Sequence, residues 1–285
     1  MHTYFSLEVF PPRKTMGVNT VYRTLDGLRG LKPDFISVTC SAAGSADSGS
    51  TMIAIAERVR TVCGVEAAAH MPCLYLSKEK AENMLCRLRE AGITTVLALR
   101  GDRIPGKEPA GSFTHASDLA SFIRDFDERR NDGKRFTVFG ACYPESHPES
   151  PGIVADIHGL KAKVDAGVSR LISQLFFDNE LFCRFLERVR LAGITVPVEA
   201  GIMPVINKKQ IEHITAVSGV VLPVKFRRIL DRYGDSPDSL RDAGIAYAVD
   251  QIADLAARGT DGIHLYTMNN TYAAGRINEA VRSLF

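Results

Sequence analysis

Hydrophobic positions along the chain alternate between two periods. Short apolar runs in which every second residue shares a face give way to longer stretches with apolar residues at every third or fourth position. The short runs predict eight strands, at Thr3–Phe10, Phe35–Cys40, Glu66–Cys73, Thr94–Arg100, Phe136–Tyr143, Arg170–Phe177, Val196–Val205 and Gly262–Asn269. Between them, Ser77–Ala91, Ser117–Arg130, Ala155–Ala166, Asn179–Leu191 and Pro237–Arg258 read as amphipathic helices. Helix ends carry chemical marks. Gly92, Gly167 and Gly193 stand where a helix takes its left-handed terminal residue, and Ser77 and Ser117-Asp118 stand at helix starts.

Eight strand–helix units in series, with no low-complexity linker, predict an α/β chain folded as a (β/α)8 TIM barrel, a single domain over residues 1–285. A doubly wound open sheet is the alternative. It usually carries a Gly-x-Gly-x-x-Gly turn after its first strand, and Pro11-Pro12-Arg13 stands there instead. Prolines cannot donate to a ladder, so the first strand ends at Phe10. The segment Val220–Pro237 adds residues between the seventh and eighth strands, enough for an extra helix or a mobile loop over the barrel mouth.

Composition narrows the class. The chain is 45% hydrophobic and 24% charged, with a net charge of +2, as expected of a soluble globular protein. No long basic run makes a case for nucleic acid or for an anionic membrane surface. No signal peptide is expected before the first strand, and no apolar run reaches the length of a bilayer span, so a cytoplasmic setting is expected. The six cysteines are scattered without Cys-x-x-Cys or zinc-ligand spacing and read as reduced thiols.

Polar residues collect where strands end, which in a barrel is the face that carries chemistry. In the first strand Phe5, Leu7 and Val9 share one face and Ser6, Glu8 and Phe10 the other, which places an acid inside the barrel. A buried acid is costly unless paired or used. Other strand ends carry Thr39, Ala69-His70, Arg100-Gly101-Asp102, Tyr143 with His147, Gln174, and Tyr266 with Asn269. Each alone has a plain structural explanation: an ion pair for Arg100 and Asp102, a core histidine for His70, helix caps for Tyr143 and His147. Gln174 inside an apolar strand is harder to explain so, because a buried amide needs partners on both of its ends. No metal-ligand pattern and no Ser-His-Asp nucleophile motif is present, which points to an organic cofactor.

At these residues the chain resembles the methylenetetrahydrofolate reductase family. The matching strings are Leu7-Glu8-Val9-Phe10-Pro11-Pro12-Arg13, Leu31–Thr39, Leu97-Ala98-Leu99-Arg100-Gly101-Asp102, Tyr143-Pro144-Glu145-Ser146-His147-Pro148-Glu149, Leu160–Gly167 and Ser173-Gln174-Leu175-Phe176-Phe177-Asp178. They run in family order from residue 4 to about residue 270. The resemblance implies a cytoplasmic flavoprotein oxidoreductase of one-carbon metabolism that reduces 5,10-methylenetetrahydrofolate to 5-methyltetrahydrofolate, on the route to methionine. It implies FAD, or FMN, as cofactor and NADH or NADPH as electron donor. Glu8 matches the general acid, for which burial should raise the pKa. Asp102 matches the aspartate between flavin and pterin. Thr39, Ala42, His70, Arg100, Gly101, Asp102, His115, Ala116, Tyr143, His147, Asp156 and Lys163 match flavin-holding positions. Gln174, Leu230 and Tyr266, with Glu8 and Asp102, match folate-binding ones.

Two positions depart from the family pattern. Asn270 follows Asn269 where many members carry Arg, and Leu230 stands where bacterial members carry a Phe that stacks on nicotinamide or folate. The electron source therefore stays open between a nicotinamide nucleotide and a protein partner, the latter making the chain a folate- and flavin-binding electron-transfer subunit. A homo-oligomer is compatible with the same resemblance.

Overall fold

The structure, a computed structural model, describes residues 3–12, 17–40 and 46–285. Eight parallel strands close into a barrel in chain order: β1 (Tyr4–Val9), β2 (Phe35–Val38), β3 (Glu66–Pro72), β4 (Thr95–Leu99), β5 (Thr137–Cys142), β6 (Val168–Ser173), β7 (Val198–Ile202) and β8 (Gly262–Tyr266). Closure is made by β1 against β8, with Ser6 opposite His264 and Glu8 opposite Tyr266. The surrounding helices are α1 (Asn19–Leu28), α2 (Ala46–Arg58), α3 (Lys78–Glu90), α4 (Ala116–Arg130), α5 (Ile153–Asp165), α6 (Asn179–Leu191), α7 (Lys208–Ser218), α8 (Val224–Tyr233), α9 (Pro237–Ala257) and α10 (Thr271–Val281).

The period-two pattern explains the two layers. Leu7, Val9, Ile36, Val38, Ala67, Ala69, Val96, Ala98, Ile263 and Leu265 point outward and pack with the helices into the main hydrophobic cluster. A smaller cluster of Phe35, Ala68, Leu97, Phe139 and Ile172 fills one side of the barrel interior. The other side of the interior is polar. Ser6, Glu8, Ser37, Glu199 and His264 are all buried there.

The expected extra helix between the last two strands is present as α8, whose Phe226 is fully buried against Phe177 and Tyr247. One boundary shifts. β6 runs from Val168 to Ser173, so Gln174 lies just past the strand, where its own Oε1 accepts from the Leu175 N–H at 3.0 Å and turns the chain. Asn270 also finds its reason: its side chain caps α10 by accepting from the Ala273 N–H at 2.9 Å. Asn269 brackets the end of β1 with two bonds to the Phe10 backbone, at 2.9 and 2.8 Å.

Helix α9 sits hard against the chain that follows β7. A Cβ on Gly244 would lie 1.8 Å from the Val205 carbonyl oxygen. Gly244→Ala is therefore expected to lower stability by about 1–3 kcal/mol, read as a lower urea midpoint with an unchanged denaturant slope. An unaltered midpoint would contradict this close approach.

Candidate active site

A cavity of about 1040 Å³ opens at the C-terminal ends of the strands. Its floor is Glu8, only 5% exposed. Glu8 Oε2 accepts from Ser37 Oγ at 3.4 Å and lies 3.3 Å from His70 Nε2 and 3.6 Å from His264 Nε2. All three of these contacts are made to Oε2. His70 Nε2 is buried, faces the Glu8 carboxylate as its charged partner, and borders the cavity.

This surrounding corrects one expectation. Burial does push the Glu8 pKa up, as its inward position implies, but hydrogen bonds and charge from His264 and His70 outweigh it and hold the pKa at about 2. Glu8 alone is therefore a carboxylate near neutral pH.

A stability consequence follows from that shift. A carboxyl whose pKa falls on folding contributes stability that is present above its unfolded value of about 4.5 and lost as pH drops toward about 2. The stability gap between the native chain and Glu8→Gln should be full above pH 4.5 and shrink as pH is lowered through that window. A gap that stays constant in urea titrations across it would refute the pairing.

Another wall carries cations and rings. Arg100 follows β4 and makes a two-pronged bond to Glu149, at 2.7 and 2.9 Å, which raises its pKa. Tyr143, just past β5, meets the His147 ring edge-on with centroids 4.7 Å apart. Burial lifts the Tyr143 pKa to about 12 and lowers that of His147. Lys163 reaches under them from α5, donating to the Ala141 carbonyl at 2.7 Å, and burial lowers its pKa. Asp156 fixes the same loop by accepting from the His147 N–H at 2.5 Å. Ala155, Gly159 and Ala162 line the cavity from one face of α5, and Gly159 has open space where a Cβ would stand. The N-cap of α5 is Gly152, which offers no side-chain acceptor and so leaves the first N–H groups of the helix to other partners.

The remaining predicted residues ring the mouth. Gly101 takes φ +84 beneath Pro72 and sends the exposed Asp102 to the opening, while Thr39, His115, Ala116 and Gln174 line the rim. Tyr266 crosses the floor. Its hydroxyl donates to the Ser173 carbonyl at 2.8 Å and its edge meets His264, with the space supplied by Gly201, whose absent Cβ would fall 2.8 Å from the ring. Ala42 lies outside the described residues. Leu230 is not brought to the cavity. The amphipathic pattern of α8 turns it into a second cluster with Leu175, Phe177 and Met203.

Sequence reasoning missed His264, Glu199 and Arg170 as members of this floor. The signal was present in the alternation of β8: Ile263 and Leu265 pack outward, so His264 and Tyr266 must face inward. The buried thiols Cys73 and Cys142 stay protonated, since burial pushes both to about 12.

Comparison with other proteins identifies the family. The family model described as methylenetetrahydrofolate reductase matches residues 1–282. A 5,10-methylenetetrahydrofolate reductase from Pectobacterium carotovorum is 35% identical over 265 residues, covering 93% of this chain and 85% of that protein. Methylenetetrahydrofolate reductase (NADH) 1 of Arabidopsis thaliana is 33% identical over 280 residues, or 94% of this chain and 46% of the plant protein. Among solved structures, a Clostridium thermocellum protein that binds two copies of 5-methyl-5,6,7,8-tetrahydrofolic acid superposes with a TM-score of 0.68 over 99% of this chain and 94% of that one. At 11% identity that likeness speaks for the barrel alone. With a model match along nearly its whole length and a bacterial relative 35% identical over 93% of it, the chain belongs to the methylenetetrahydrofolate reductase family.

Proposed function

We propose that this chain reduces 5,10-methylenetetrahydrofolate to 5-methyltetrahydrofolate, with a flavin, FAD in the first instance, held along the β4–β6 side of the cavity. The observation that carries the reading is one cavity with a buried carboxylate–imidazole group at its floor and a wall that carries cations and rings. When bound, the flavin supplies the hydride. The residues present suit such a cofactor. Lys163, Arg100 and the uncapped start of α5 offer donors for a diphosphate, and the small face of α5 leaves room for a planar group.

The chain's own part is to deliver a proton and to position the folate. Opening the methylene bridge requires protonation of the bridge nitrogen, and Glu8, buried at the cavity floor, is the acid assigned to that step. A proton held at His264 or His70 passes to Glu8 when the folate covers the floor and excludes water, since desolvation favours the neutral acid. Asp102 at the rim and the carboxylate below stabilise the cationic carbon that results. Gln174, at the end of β6, offers an amide for the pterin edge.

NADH is the proposed donor, in line with the name of the plant relative, and the setting is cytoplasmic. One observation favours a second electron source: Leu230, an aliphatic residue, packs behind cavity-lining Leu175 and Met203 and does not itself line the cavity, so this position offers no aromatic face to a nicotinamide. The test is anaerobic incubation of the chain with FAD, NADH and methylenetetrahydrofolate, with 5-methyltetrahydrofolate measured by mass. Product supports the reading with NADH as donor. Product only with chemically reduced flavin assigns the electrons to a partner protein. Its absence under both conditions refutes the proposal.

A further inference from the structure

The polar half of the barrel interior continues below Glu8 as a connected column. Ser6 Oγ hydrogen-bonds Glu199 Oε2 and lies 2.7 Å from His264 Nδ1. Glu199 Oε1 accepts from Arg170 Nη1 at 2.5 Å. The Arg170 guanidinium lies 3.6 Å above the Tyr4 ring and 5.2 Å from that of Phe139, closing the barrel at its N-terminal end. Gly262 makes the room: a Cβ there would stand 2.9 Å from Glu199 Cγ and 2.8 Å from Tyr4 Cβ. Glu199 and Ser6 are fully buried. An ion pair of this kind is expensive to bury, and a packed apolar pair would serve the barrel floor as well or better.

We infer that Glu199 and Arg170 are positioning residues that fix which nitrogen of His264 holds its permanent proton, and so leave the other nitrogen to exchange a proton with Glu8. The inference rests on the acid role proposed for Glu8. Its logic is donor counting. Ser6 has one hydroxyl proton, and an ionised Glu199 can only accept it. The remaining lone pairs of Ser6 Oγ then face His264 Nδ1, which must be the N–H donor. His264 Nε2 becomes the variable position. It faces Glu8 Oε2 at 3.6 Å and Ser37 Oγ at 3.4 Å.

Arg170 keeps the arrangement in place by holding Glu199 as a carboxylate. Burial outweighs the opposing pull of His264, Ser6 and Arg170 and leaves the Glu199 pKa above its usual value, so its carboxylate form depends on the 2.5 Å contact with Arg170. The charged and titratable groups around His264 are thus Glu8 from β1, Arg170 from β6, Glu199 from β7 and Tyr266 from its own strand, with His70 of β3 on the far side of Glu8.

Glu199→Gln separates this role from packing. A glutamine amide donates where the carboxylate accepted, so Ser6 turns its proton to His264 Nδ1 and the imidazole switches to the Nε2–H form. The experiment is long-range ¹H–¹⁵N correlation of the histidines in uniformly labelled protein across a pH series, with His264 assigned by its loss in His264→Gln. The native chain should show the Nδ1–H form when neutral, and Glu199→Gln the Nε2–H form. A native Nε2–H form, or a variant with the native tautomer, overturns the inference. Should Glu199→Gln fail to fold, Ser6→Ala serves: His264 should lose its single tautomer there, and an unchanged spectrum overturns the inference equally. In turnover, Glu199→Gln should lose about 10- to 100-fold in kcat with little change in KM and a shifted pH profile, whereas Arg170→Lys, which keeps the cation, should retain the native profile. An unmoved profile in Glu199→Gln also overturns it. Absence of folate turnover in the native chain, with the tautomers as expected, counts against the reductase reading and leaves the column's assignment standing.

Discussion

Glu8→Gln is expected to abolish folate reduction while leaving cofactor binding and reduction by the electron donor intact. Glutamine keeps the shape and neutral hydrogen-bonding capacity of the side chain but cannot receive a proton from His264 or His70 and pass it on. Loss of a positioned acid costs on the order of 10²- to 10⁴-fold in the step it serves. Measured with chemically reduced flavin as donor, the variant should fall by that factor in 5-methyltetrahydrofolate formation. Flavin content and the rate of reduction by NADH should stay within about threefold of the native chain, well inside the loss attributed to the acid. Equal loss in both half-reactions would mean that Glu8 serves architecture, and undiminished folate reduction would remove it from the mechanism.

The second large effect is expected on the wall of cations and rings. Arg100, just past β4, and Lys163, in the last turn of α5, are two cations that line this wall of the cavity. Charge-assisted hydrogen bonds contribute roughly 1.5–3 kcal/mol each, so Arg100→Ala with Lys163→Ala should weaken flavin binding by roughly 10²- to 10⁴-fold. The fold should survive. Arg100 bonds the half-exposed Glu149 and the neighbouring Gly101 carbonyl, and Lys163 donates to one backbone carbonyl at the cavity edge. Equilibrium dialysis against FAD, beside a circular dichroism melt, reads both quantities. A double variant that binds flavin as the native chain does would contradict the assignment of this wall.

How much of this was legible beforehand depends on the kind of signal. The barrel was legible because each strand obeys the pleat and each helix its own period, and the terminal glycines and serines mark where one hands over to the other. The rim was legible because Arg100-Gly101-Asp102 and Tyr143–Glu149 follow strands directly, and in this fold that position is the working face. The floor was only half legible. Glu8 stands out as an acid in an apolar run, but its ionisation depends on His264, which is 256 positions away in sequence and adjacent only because β1 closes on β8. Burial and ion pairing pull a carboxyl in opposite directions, and only the closed barrel decides which prevails. Arg170 and Glu199 were missed for a like reason. On separate strands each reads as an ordinary charged residue, and the shared interior makes them a pair. Leu230 illustrates the converse: a position aligned by resemblance across α8, whose own amphipathic pattern turns it into packing.

The most direct test of the account is an anaerobic mixing experiment on the flavin-loaded chain, following the flavin absorbance as NADH and then methylenetetrahydrofolate are added. The account predicts bleaching by NADH and recovery of the oxidised spectrum with the folate, accompanied by one equivalent of 5-methyltetrahydrofolate per flavin. Reduced flavin that stays bleached when the folate is added would contradict it.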